Sequence, residues 1–209
     1  MKLTSKSFSD HQRIPGEYAF CIPHDRDHVC LGANRNPQLS WSDLPEGTRS
    51  LVLICHDPDV PTRADDVNKP GRVVPAGLPR QDFFHWVLID LPPSPNHIES
   101  GEFGNEVTPG GKIGPEAARG ARHGVNDYTA WFANDDIMKG DYHGYDGPCP
   151  PWNDEIPHHY IFTLYALDIP SLPLTGRFRG PDVLRAIEGH VLASTTLTGV
   201  YALNPAVKL

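Results

Sequence analysis

Four short stretches carry side chains that could do chemistry together. Asp57-Pro58-Asp59-Val60-Pro61 sets two carboxylates in a proline-stiffened turn, fixed in space before any ligand arrives. His85 stands inside an otherwise apolar run, Phe83-Phe84-His85-Trp86-Val87. A buried imidazole needs a partner, and a carboxylate such as Asp57 would fix its tautomer and raise its basicity. Tyr145-Asp146-Gly147-Pro148-Cys149-Pro150-Pro151 is a turn able to aim backbone donors into a concavity, as anion-binding nests do. His158-His159-Tyr160 follows closely and could add a further donor. Each stretch also has a plainer reading: a capped turn, a satisfied core histidine, or a turn entering a strand.

The elements that must hold these residues are mostly strands. Arg49–Cys55, Phe84–Leu91 and Tyr160–Leu167 are near-continuous apolar runs, the pattern of strands covered on both faces. Thr195–Leu203 is rich in β-branched and aromatic residues, and weaker strand candidates lie at Tyr18–Ile22 and Tyr128–Ala133. One helix is predicted over about 182–193, opened by Pro181-Asp182, with Val183, Leu184, Ile187, Val191 and Leu192 at helical spacing. Two connections are long: Thr62–Asp82, and Pro92 to about Val125, which holds seven glycines.

Composition agrees with a single loop-rich domain over residues 1–209. The 19 glycines and 22 prolines exceed average usage of roughly 12% for the pair. Proline at that density nearly excludes a helix bundle, whereas 39% hydrophobic residues suffice for a core. A net charge of −8 gives no footprint for nucleic acid and no attraction to an anionic membrane. No apolar run is long enough for a membrane-spanning helix, and the N-terminal residues show no signal-peptide core. Cys21, Cys30, Cys55 and Cys149 lack CxxC spacing. Two disulfides are open to them, but reduced thiols in a cytoplasmic protein are the expectation.

Taken together, Asp57 to Pro61, Phe84-His85-Trp86, Tyr145 to Pro151 and His158 to Tyr160 resemble the phosphatidylethanolamine-binding protein family, which includes the Raf kinase inhibitor proteins. Gly189-His190-Val191-Leu192-Ala193 and Leu197-Thr198-Gly199-Val200-Tyr201 resemble its bacterial branch. Order and spacing match from about residue 15 to 203. The resemblance implies a Greek-key antiparallel β-sandwich with a C-terminal helix and a small anion cavity. The pocket aspartate corresponds to Asp57, the second acid to Asp59 with Pro61 beside it, and the strand histidine to His85. The Gly-x-Gly-Pro-Pro turn corresponds to Gly147, Cys149, Pro150 and Pro151, with Cys149 where many members carry glycine. The His-Arg-Tyr triplet corresponds to His158, His159 and Tyr160, with His159 in place of arginine.

The leading functional expectation is a small-anion or phosphoryl-headgroup binding protein without catalytic residues or a cofactor. Its ligand is phosphate, a phosphoryl headgroup or a carboxylate; a homodimer is implied by the bacterial relatives, and a protein partner is unidentified. In this reading Asp57 holds His85, His158 adds a second donor, and binding tightens below the ordinary histidine pKa of roughly 6.5. One alternative is a hydrolase using Asp57, Asp59, His85 and His158 around a metal, or Cys149 as a thiol nucleophile. Another is a kinase-inhibitor-like interaction module presenting the glycine-rich insertion.

Overall fold

A computed structural model describes residues 1–209. In chain order the strands are β1 (Lys2–Thr4), β2 (Gln12–Arg13), β3 (Cys21–His24), β4 (His28–Leu31), β5 (Leu39–Ser42), β6 (Ser50–Pro61), β7 (Arg80–Leu91), β8 (His97–Ile98), β9 (Arg122–His123), β10 (His158–Leu167) and β11 (Val191–Tyr201). Two short α-helices interrupt them: α1 (Tyr128–Trp131) before β10, and α2 (Gly180–Ala186) before β11. The large sheet runs β2-β11-β10-β6-β7-β9 and is antiparallel except for the parallel edge strand β2. A three-stranded sheet, β1-β5-β8, faces it, and β3-β4 forms a separate hairpin. The chain is therefore a mostly β two-sheet sandwich.

The central strands are apolar on both faces because each face meets its own core. Along β6, Leu51, Leu53 and Cys55 join the core shared with Leu39, Trp41 and Ile98 of the small sheet. The alternate residues Val52 and Ile54 join Phe178, Val183 and Ile187 on the outer face. That two-faced burial is what the uninterrupted apolar runs reflect.

Three sequence expectations are corrected. The helix ends at Ala186 rather than at residue 193, because Gly189 adopts φ +81° and Val191 already pairs with Leu167. Val191 and Leu192, assigned to a helix face, are instead the exposed start of β11. Tyr128–Ala133 is helical over Tyr128–Trp131, with the Trp131 amide bonded to the Asp127 carbonyl. In Tyr18–Ile22 the strand begins only at Cys21, after a 3-10 turn over Gly16–Tyr18.

The two long connections are integrated into the fold. The β6–β7 connection is pinned by Asn153, whose amide donates to the carbonyls of Asp66 and Arg72 and whose side-chain oxygen accepts the Asn68 N–H. The glycine-rich connection contributes β8 to the small sheet and β9 to the large one. Its Gly111 is required as glycine: φ is +87°, and a Cβ there would run into the Asp141 backbone. No helix is long and apolar enough to cross a membrane.

Candidate functional site

At the ends of β6, β7 and β10, beneath the β3–β4 hairpin, lies a cavity of about 320 Å³. Its walls are apolar and aromatic, including Phe20, Phe83, Tyr128, Trp131 and Phe132. Its floor is polar: Asp57 from β6, His85 from β7, and His158 and Tyr160 from β10. Pro61, Cys149, Pro150 and Pro151 also line it, as do Ala64, Val67 and Asn68 of the β6–β7 connection. No lysine or arginine does. Asp59 and Gly147 are not among the lining residues.

The pairing of these groups differs from the sequence expectation. Asp57 does not hold His85; it accepts from His158 Nδ1 at 2.7 Å through Oδ2 and from the Asp59 amide at 2.8 Å through Oδ1. The opposite nitrogen of His158 meets Asp154 Oδ2 at 3.2 Å. Asp154 in turn takes a bidentate pair from Arg80, at 2.6 and 3.0 Å. Burial works against charge on His158, but attraction to Asp57 and hydrogen bonds with Asp154 and Asp57 prevail, and its pKa rises to about 9. His158 is thus a buried imidazolium with both N–H groups committed. It has no donor left for a ligand, which corrects the role expected of it. Across Arg80, Asp154, His158 and Asp57 the formal charges cancel.

His85 is held differently. Its Nδ1 lies 2.8 Å from the Asp146 carbonyl, an acceptor, so Nδ1 carries the proton and Nε2 is left without a partner in the chain. Burial lowers its pKa, with Asp57 and the Asp146 carbonyl opposing, so the ring is neutral near pH 7. Tyr160 contributes a buried hydroxyl with no partner at ordinary hydrogen-bond distance, although Asp57 lies near enough to act on it. Burial and then the Asp57 charge push its pKa well above the usual phenol value.

The turn between α1 and β10 supplies a third unsatisfied group. In Pro148–Pro151 only Cys149 has an amide N–H, and that N–H makes no hydrogen bond within the chain. Gly147 matters one step earlier: a Cβ there would overlap the Tyr18 carbonyl. Its amide donates to Asn34 Oδ1 and its carbonyl accepts from Tyr128. Asp59 serves the rim, accepting from the backbone N–H of His159 and facing its Nδ1, both at 2.8 Å.

Sequence reasoning missed Asp154, Arg80 and the Asp146 group. Asp146 is fully buried and accepts from Lys112 (2.6 Å), Asn34 (2.8 Å) and Asn126 (2.8 Å). Burial raises its pKa while Lys112, Asn126 and Asn34 oppose the rise. Asp146 stood inside the quoted turn motif and Asp154 lies four residues before His158, which were the local signals for these two acids. Lys112 and Asn34 lie far from Asp146 in sequence and gave none.

The reduced state expected of the cysteines also fails for one pair. Cys21 and Cys149 form a disulfide across 128 residues, while Cys30 and Cys55 remain free thiols. The Phe20 and Cys21 amides both donate to the Pro148 carbonyl, which brings β3 against the turn and the two sulfur atoms together. Reduced cysteines were the premise for a cytoplasmic location, and this pair no longer supplies it.

Comparison with known proteins agrees with this architecture. The model of the family described as phosphatidylethanolamine-binding protein matches residues 4–202. A UPF0098 protein of Methanothermobacter thermautotrophicus is 33% identical over 96% of this chain and 98% of its own length. One from Aquifex aeolicus is 30% identical over 96% of this chain and 88% of its own. Among solved structures, Escherichia coli YbcL, described as a member of the mammalian PEBP family, superposes with TM-score 0.67 at 25% identity, covering 96% of this chain and 97% of that one. The two-sheet scaffold, the motif order and the family match agree along nearly the whole length, and the chain belongs to the phosphatidylethanolamine-binding protein family.

Proposed function

We propose that the cavity binds a small phosphoryl-bearing or carboxylate anion through hydrogen bonds, without transforming it. The observation that carries this reading is the set of three unsatisfied polar groups at one cavity: the Tyr160 hydroxyl, His85 Nε2 and the Cys149 amide. All three lack a partner within the chain, and one, the Tyr160 hydroxyl, is fully buried, so the set is a place where a ligand supplies the missing partners. The floor is electrically balanced rather than basic, so recognition rests on directed donors and not on a lysine or arginine clamp. A phosphate monoanion fits that balance. Its charged oxygens accept from Tyr160 and Cys149, its P–OH donates to Asp57, and a proton taken up on His85 Nε2 adds a further donor.

Binding is favoured over hydrolysis by what the candidate catalytic groups are already doing. His158 is locked between two carboxylates and has no free position for proton transfer. The Cys149 sulfur is in a disulfide and is no nucleophile in this state.

The test is a titration of inorganic phosphate followed by NMR, with His85→Ala and Tyr160→Phe variants as controls. Shifts centred on residues 57, 85, 149 and 160, lost in the His85 variant, are expected. Phosphate shifts spread over surface amides and unaffected by either variant would overturn the reading.

A further inference from the structure

We infer that the Cys21–Cys149 disulfide is a reversible thiol–disulfide modification site that latches the cavity wall, so that its reduction weakens ligand binding. The inference rests on the binding function proposed above and adds its regulation. Both half-cystines line the cavity; Cys149 is half-buried and Cys21 is buried, so Cys149 is the more accessible of the two residues for an incoming thiolate. Of the other thiols, Cys55 lies in the core, where burial pushes its pKa well up, and Cys30 faces no second cysteine.

What the latch joins gives it consequence. The β3–β4 hairpin belongs to neither the large nor the small sheet, yet its Val29 and Leu31 form one side of the cavity. Its base is held to the turn by the Phe20 and Cys21 amides, which share the Pro148 carbonyl at 3.0 and 3.1 Å. Tyr201 adds a hydrogen bond to the Cys21 carbonyl at 3.0 Å. Further out, the hairpin touches the turn region through the stack of His28 on Trp152. The disulfide is the one covalent tie between this wall and the turn, and it is attached at Cys149, whose amide N–H makes no hydrogen bond within the chain. Opening it releases the wall and the donor together, and a less preorganised site binds more weakly.

The reaction is ordinary thiol–disulfide exchange with a dithiol as co-reactant. One dithiol thiolate attacks the Cys149 sulfur, the S–S bond breaks, and Cys21 leaves as a thiolate that takes up a proton. The second dithiol sulfur then attacks the mixed disulfide and releases Cys149. The protein gains two electrons and two protons, and the dithiol is oxidised to its disulfide. A disulfide oxidant reverses the sequence.

The experiment compares oxidised protein, protein reduced with dithiothreitol, reoxidised protein and a Cys21→Ser/Cys149→Ser variant. Inorganic phosphate affinity and amide hydrogen exchange are measured on each. Reduction is expected to weaken phosphate binding roughly tenfold and to speed exchange at residues 20–31, with β6, β7 and β10 unchanged and reoxidation restoring both. Equal hairpin exchange and equal affinity in oxidised and reduced protein would overturn the latch. So would faster exchange throughout β6, β7 and β10, which would make the bond a general staple. If oxidised protein binds no phosphate, the binding function fails; hairpin exchange then decides the latch separately. Should the double variant not fold, reduced wild-type protein carries the comparison.

Discussion

Two histidines stand at the same end of the large sheet and have opposite relations to their surroundings. His158 is charged and saturated, gripped by Asp57 and Asp154, with Arg80 closing the chain of charges. His85 is neutral, anchored at one nitrogen by a carbonyl and open at the other. The first arrangement spends its polar atoms on tying together β6, the start of β7 and the start of β10. The second leaves atoms unspent at the cavity floor. The contrast separates scaffold from site more sharply than residue type does, since both are buried histidines near aspartates.

Breaking the saturated cluster should have the largest effect. Asp154→Asn leaves Arg80 and the His158 imidazolium without their shared counter-charge, and removing one partner of a buried ion pair costs about 3–5 kcal/mol. Urea denaturation at neutral pH checks it; a loss under about 1 kcal/mol would mean the cluster is not structural.

The same cluster should make stability depend on pH in the alkaline range. The folded pKa of His158, about 9, lies above its ordinary value of 6.5, so its contribution is complete below pH 6.5 and is lost as pH rises through 9. At about 1.4 kcal/mol per pH unit the loss is roughly 3 kcal/mol. A flat urea midpoint over that window, before other groups titrate, would contradict the assignment of charge to His158.

Lys112→Met tests a region between the two extremes. Lys112 comes from the glycine-rich insertion and holds Asp146, whose carbonyl orients His85. Stranding that buried carboxylate should cost about 1–3 kcal/mol near neutral pH, with the deficit shrinking as Asp146 protonates on acidification. The His85 ring signals should move in NMR spectra, whereas an insertion unrelated to the site would leave them in place.

The smallest stability effect belongs to the open cluster. Tyr160→Phe removes a hydroxyl that has no partner, so folding stability should hold or rise by up to about 1 kcal/mol. Phosphate affinity should nevertheless fall roughly tenfold, the worth of one hydrogen bond to a charged ligand. Loss of stability without loss of affinity would place Tyr160 in the scaffold instead.

These contrasts also explain what could be read before the structure. The strands of the central sheet were legible because burial on both faces leaves an unbroken apolar run, as in Leu51–Cys55 and Trp86–Ile89. Helix and strand at Gly180–Tyr201 were confused because Val191 and Leu192 fit helical spacing, while the stop at Gly189 depends on backbone conformation. Asp57, His85, Cys149, His158 and Tyr160 were singled out by motif and line the cavity, but their pairing was not foreseen, and Asp59 and Gly147 lie outside the lining. Asp57 was assigned to His85 because both suit an imidazole–carboxylate pair; a register shift between Cys55 and His56 sets Asp57 opposite Phe83 on β7, and the unshifted β6–β10 pairing carries it towards His158 instead. Partners set by long-range packing, such as Lys112 with Asp146 and Cys21 with Cys149, leave no local trace in spacing.

The most direct test of the open floor is calorimetric titration of inorganic phosphate at about pH 5.5 and about pH 8, with affinity referred at each pH to the monoanion concentration and wild type compared with His85→Gln. Burial lowers the pKa of His85 in the empty cavity, so a bound anion draws a proton onto it and affinity rises as pH falls. Tighter binding at the lower pH, with most of the difference lost in His85→Gln, is the predicted result. Equal affinity at the two pH values, or the same pH dependence in the variant, would contradict it.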